Sequence, residues 1–230
     1  MKTIAIAGGL LASALLLTGC GLASIAGPDR HHTVTYQVTD KVTKLQLKSG
    51  SGDTVVTETD GTAVRVTETK NWRADDEPKA EHKVEGEALL LSYDCKSDWG
   101  SCSVDYKVEI PKGMAVDLDC GSGDITLRGL TGRLDANLGS GDLDATGLGG
   151  KQVFAETGSG NIELKYASAP DSAELKAGSG DIVLNVPDGA YDVNTKTGSG
   201  DAKVSVKDDS SSPHKLSLTA GSGDVTVSAG

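Results

Sequence analysis

One tetrapeptide recurs along the chain and restricts what it can fold into. Gly-Ser-Gly-Asp stands at Gly50–Asp53, Gly121–Asp124, Gly139–Asp142, Gly178–Asp181, Gly198–Asp201 and Gly221–Asp224, and Gly-Ser-Gly-Asn stands at Gly158–Asn161. From Asp124 onward the fourth residues fall at 124, 142, 161, 181, 201 and 224, in steps of 18, 19, 20, 20 and 23. A period near 20 is the mark of stacked repeats, in which each unit buries its apolar side only against its neighbours. Glycines around a small polar residue make a corner, because glycine reaches positive φ without a Cβ clash. Aspartate or asparagine suits the exit, since its side chain can bond a nearby backbone N–H.

Apolar residues alternate on both sides of each corner. Ile125 and Leu127, Ile162 and Leu164, Ile182 and Leu184, and Val225 and Val227 lie one and three residues after the Asp or Asn. Leu118 and Cys120, Ala136 and Leu138, Leu175 and Ala177, and Leu218 and Ala220 precede the first Gly in the same period. Period two on both sides means two strands per repeat, each with one inward face. The expected fold is an all-β, single-domain β-solenoid, or flattened β-helix-like sandwich, with an N-terminal β region and a hairpin. Successive repeats are expected to pair in parallel, equivalent strand on equivalent strand, with corners about 4.8 Å apart. Thr195 and Thr197 fall inward in this register, so their coil is expected to be the least stable.

The interior is thin, and composition agrees: 30 residues are glycine and only 3% are aromatic, with a single Phe. The net charge of −11 argues against nucleic acid, whose phosphates need clustered Lys and Arg. It argues equally against electrostatic docking on anionic headgroups.

The chain starts with Met1-Lys2 and an apolar run from Ile4 to Leu17, too short for a membrane span and readable as a secretory signal. Leu17-Thr18-Gly19-Cys20 resembles the lipobox of bacterial lipoproteins. That resemblance implies a signal peptide over 1–19 and a palmitoylated Cys20 that anchors the mature protein to the membrane. Residues 20–32 read as a tether, and 33–230 as the β-repeat domain, with the regular stack over 114–230. His31-His32 in the tether lacks the companion ligands a metal site needs. Trp72 to Glu87 is charged and turn-rich and reads as an exposed loop. Leu89 to Ile110 reads as a hairpin closed by a Cys95–Cys102 disulfide, which in an oxidising compartment contributes about 2–3 kcal/mol at most. Cys120, in the inward register, reads as a small buried filler.

Val108-Glu109-Ile110-Pro111, then Ala115-Val116-Asp117-Leu118, then Gly-Ser-Gly-Asp-Ile-Thr-Leu and its repeats resemble the bacterial "putative adhesin" β-strand-repeat domain. The similarity runs from about Val38 to Gly230. The family is a domain of unknown function. The resemblance implies a β-solenoid carried on envelope proteins and brings no catalytic residues.

Two features of the residues invite a site. Asp124, Asp142, Asn161, Asp181, Asp201 and Asp224 recur at one place in successive coils. Such a row either caps backbone N–H groups or holds cations. Calcium takes six to eight oxygens, so capping is the favoured reading and any calcium binding is expected to be weak, at the millimolar level. Trp72 and Trp99 fall in expected loops, as anchors for a ligand or as covers for the end of the core. The outward faces of the stack are mixed in charge and lack an aromatic strip. No paired carboxylates on a sugar groove and no Ser-His-Asp or Cys-His set stand out. The reading is a non-enzymatic, cofactor-free, lipid-anchored envelope protein that presents its solenoid to an unknown protein or glycan. The alternative is an envelope-stress sensor or regulatory partner of a membrane protein.

Overall fold

The computed structural model describes residues 29–73, 75–96 and 102–230, and the signal, Cys20 and Trp99 lie outside them. Among the described residues there are twenty strands and no helix. In chain order they are β1 (Asp29–Val38), β2 (Lys44–Ser51), β3 (Thr54–Thr59), β4 (Val64–Arg73), β5 (Lys79–Glu85), β6 (Ala88–Asp94) and β7 (Cys102–Pro111). The regular stack follows as β8 (Ala115–Ser122), β9 (Ile125–Arg128), β10 (Leu134–Ser140), β11 (Leu143–Leu148), β12 (Gln152–Ser159), β13 (Ile162–Tyr166), β14 (Ser172–Ser179) and β15 (Ile182–Val186). The last five are β16 (Ala190–Ser199), β17 (Ala202–Val204), β18 (Lys207–Asp208), β19 (Lys215–Ser222) and β20 (Val225–Ala229).

Two ten-stranded sheets face each other. One runs β1-β4-β7-β3-β9-β11-β13-β15-β20-β17, the other β18-β16-β19-β14-β12-β10-β8-β2-β6-β5. Each two-strand coil contributes one strand to each sheet, so the fold is the expected β-solenoid. The inward alternation puts Leu118, Ala136, Ala155 and Leu175 side by side in one sheet and Leu127, Ala145, Leu164 and Leu184 in the other, all fully buried. The second glycine of each corner takes a positive φ, from 108° at Gly52 to 137° at Gly160, so the chain changes sheet there without a Cβ clash.

Sequence order and spatial order agree only in the middle of the stack. At the C-terminal end β20 lies between β15 and β17, and β19 lies between β14 and β16. The last repeat is therefore inserted between its two predecessors, which corrects the expectation of successive pairing. Burial explains the choice. The inserted coil carries Leu216, Leu218, Ala220, Val225 and Val227, all buried, whereas the coil left outermost carries Thr195, Thr197 and Ala202. An end coil has one side open to water, so the more polar interior belongs there, as in capping repeats. Residues 205–214, which lengthen the last step to 23, provide the return path. Within them β18 pairs with β16, and Asp208 accepts the Val193 N–H at 3.2 Å, blunting part of an open edge.

The N-terminal end repeats this device. β2 and β3 lie between β6–β7 and β8–β9, although β6 and β7 come between them in the chain. The segment read as a hairpin is thus a coil: β6 and β7 lie in opposite sheets. Stacking on β2 and β3 buries Leu89, Leu91, Val104, Tyr106 and Val108 against the core of both sheets. The segment read as a loop is also strand at both ends, since Trp72 and Arg73 close β4 and β5 pairs antiparallel with β6. β4 and β1 add antiparallel beyond β7. The tether was expected to reach His32, but Asp29–His32 are already strand, opposite Arg73–Lys70.

Candidate functional site

The aspartate row is a continuous hydrogen-bond ladder. Asp53 Oδ1 accepts the Asp124 N–H at 3.0 Å, Asp124 Oδ1 that of Asp142 at 2.9 Å, and Asp142 Oδ1 that of Asn161 at 2.7 Å. Asn161 Oδ1 then accepts from Asp181 at 2.9 Å, Asp181 Oδ1 from Asp224 at 2.8 Å, and Asp224 Oδ1 from Asp201 at 2.8 Å. Each side chain satisfies a corner amide one coil further along, so the carboxylates serve as backbone caps. Among the described residues no three His, Cys, Asp or Glu side chains converge as metal ligands. The ladder also begins one coil earlier than the repeat motif does. Asp105 Oδ1 accepts the Asp53 N–H at 3.0 Å. No Gly-Ser-Gly precedes Asp105, but Tyr106 and Val108 follow it at the inward spacing of every other rung, a signal that would have found it.

The other sequence candidates scatter. Trp72 is half-buried on β4, opposite Cys102 on β7, so it lies in a strand at the stack end and not in a loop. Cys95 and Cys102 form a disulfide at the corner of the β6–β7 coil. Cys120 is a buried free thiol, pushed up to about 11 by burial, so it holds its proton and is no nucleophile. His31 and His32 are exposed on β1, and His214 Nδ1 lies 2.7 Å from the Pro170 carbonyl.

Two polar features escaped the sequence reading. Glu68 is buried at 4% exposure and accepts the Tyr36 hydroxyl at 2.5 Å. Burial and then the Glu68 carboxylate hold that hydroxyl far above the ordinary tyrosine range. Alternation along β4 puts Glu68 inward in line with Val64 and Val66, a parity that hydrophobicity alone conceals. The second feature is Phe154. Val153 and Ala155 point inward, so the only Phe in the chain points out, on the face made by β8, β10, β12, β14 and β19. There it stands in one cross-strand row with Asp117, Asp135, Glu174 and Ser217. The Lys176 ammonium sits 5.2 Å from its ring centre and bonds Glu174 at 2.6 Å. Beside the ring runs a groove of about 560 Å³, open to solvent, with Arg133, Gln152, Ser172 and Lys215 among its walls.

The geometry agrees with a match at the level of family, since the Toastrack DUF4097 profile fits residues 41–229. The chain belongs to the Toastrack DUF4097 family. The Toastrack match begins after β1 and takes in every coil of the stack. A solved "putative cell adhesion protein" from Clostridium sporogenes superposes with a TM-score of 0.53, over 87% of this chain and 100% of its own, at 14% identity. A "putative adhesin" from Bacteroides fragilis covers 86% of this chain and 96% of its own at 14% identity, with a TM-score of 0.45. At 14% identity, the first of these likenesses is one of fold. No curated protein matches the sequence. Among the described residues no helix is long and apolar enough to cross a membrane.

Proposed function

We propose that this Toastrack protein is a non-enzymatic component of the cell envelope, tied to the membrane through a lipid on Cys20, that holds its solenoid out as an adhesin-like binding or structural surface. The observation that carries this reading is the stack itself. Two ten-stranded sheets with laddered corners make a stiff body whose outer faces are its largest feature. The chain enters that body at one end, through the edge strand β1, so an anchor preceding it would leave both outer faces clear. The adhesion-related name of the Clostridium sporogenes neighbour is consistent with this use. Cys120, enclosed and protonated, speaks against catalysis by that thiol.

Fractionating cells that make wild type or Cys20→Ser tests the reading, together with metabolic labelling by a palmitate analogue. Wild type is expected in the membrane fraction with label, and the variant released without it. Equal release of both proteins overturns the anchor. Recovery of one stoichiometric membrane protein after crosslinking replaces the surface reading with a regulatory one.

A further inference from the structure

The groove beside Phe154 combines three properties that narrow its ligand. The first is an apolar platform, one face of which lies under the Lys176 ammonium. Of the aromatics in the regular stack, Tyr166 and Tyr191 are buried, and Phe154 alone turns its ring to the outside. The second is free hydrogen-bonding capacity. The Gln152 amide and the Ser172 and Ser217 hydroxyls line the groove and make no side-chain hydrogen bond within the protein. The third is electrical balance. Arg133 and Lys215 line the groove together with Asp135 and Glu174, so its walls sum to zero in a chain of net charge −11. These charges are also engaged: Arg133 lies 3.6 Å from Asp135, Lys215 bonds Asp192 at 2.8 Å, and Glu174 bonds Lys176.

An anionic or cationic ligand would have to break those pairs with no surplus of opposite charge to gain. A neutral ligand with many hydroxyls and one apolar face needs no such exchange. It would lay its C–H face on the side of the aromatic ring that Lys176 leaves open and direct its hydroxyls at the free amide and serines. The volume falls in the range of roughly 300–1,000 Å³ usual for small-ligand sites. The floor is the continuous backbone of β12 and β14, so only side chains need ordering on binding. We infer that this groove is a binding site for a neutral saccharide, with Phe154 as the stacking platform and Gln152 as the principal hydrogen-bonding group.

The inference rests on the surface-binding reading above and names the ligand class for it. The test is an amide NMR titration of the full chain in a sugar-free detergent, with cellohexaose, maltohexaose and chitohexaose as separate probes. At least one probe is expected to shift the amides of Gln152–Phe154, Ser172–Glu174 and Lys215–Ser217 and to leave the opposite sheet unchanged. Phe154→Ala and Gln152→Ala should each weaken that probe by about tenfold or more, while Phe154→Tyr, which keeps the ring, stays within about threefold. Unchanged thermal unfolding of the variants excludes loss of fold as the cause. No shift with any of the three probes overturns the site, as does binding that Phe154→Ala leaves intact, or binding there of polygalacturonate in preference to all three. If the protein still reaches the envelope and binds cells in those cases, the surface reading stands and only the saccharide site falls.

Discussion

Asp224 donates its backbone N–H to Oδ1 of Asp181, 43 residues earlier, at 2.8 Å, and its own Oδ1 receives the N–H of Asp201, 23 residues earlier. The final repeat thus has neighbours on both sides, and the repeat before it has one. Val227 and Val204 measure the consequence. They are register partners, yet Val227 is 0% exposed and Val204 is 38% exposed. Val227→Ala is expected to cost about 2–3 kcal/mol in urea unfolding, and Val204→Ala under about 0.5 kcal/mol. A stack in strict chain order demands the reverse ranking.

The ladder predicts an asymmetry between two substitutions at one rung. Asp142→Asn keeps the Oδ1 acceptor, as Asn161 does naturally, and should change stability by less than about 0.5 kcal/mol. Asp142→Ala leaves the Asn161 N–H without its cap and should cost about 1 kcal/mol. Calorimetric titration with calcium should detect no micromolar site in wild type. A row built for cations would instead show such a site and lose it in Asp142→Asn.

Gly180 takes φ 136°, and a Cβ there would lie 2.0 Å from the Gly160 carbonyl oxygen. Gly180→Ala must push two coils apart as well as strain the backbone, so a loss of at least about 3 kcal/mol is expected. Gly86 also has positive φ, 61°, but open space around its Cβ position. Gly86→Ala should cost only about 1 kcal/mol. Urea denaturation of both variants separates close approach from dihedral strain.

Cys120 gives the fold an alkaline weakness. Its thiol is raised in the folded state from 9.0 to about 11, mainly by burial. Below the lower value both states hold the proton and stability is unaffected. Between the two values the unfolded chain loses its proton while the folded one keeps it, so stability falls as pH rises. Unfolding at about pH 8 and about pH 10.5 should show a steeper loss in wild type than in Cys120→Ala, and the thiol should resist alkylation until the protein unfolds.

The repeat, its two strands and its inward residues were legible because glycine corners and period-two alternation are local signals. Spatial order was not, because alternation reads the same whichever neighbour a strand takes. Leu89 and Tyr106 carry the pattern of a hairpin and of a coil alike, and only the presence of Leu45 and Thr54 as partners decides between them. The swap at the other end was partly legible: Thr195 and Thr197 already marked a coil poorly suited to the interior. Phe154 was missed although parity alone turns it outward, because it sits amid inward aliphatics in an apolar run. Glu68 was missed for the opposite reason, a charge at an inward position whose partner, Tyr36, lies 32 residues away in sequence.

The doubling back at both tips restricts how such a chain can gain length. The terminal segment is wedged between earlier ones, so a copy of it could not be added without rerouting the chain. Duplication is tolerated only between about Ala115 and Val186, where each unit simply follows the last, so longer relatives should differ there and keep both extremities as they are.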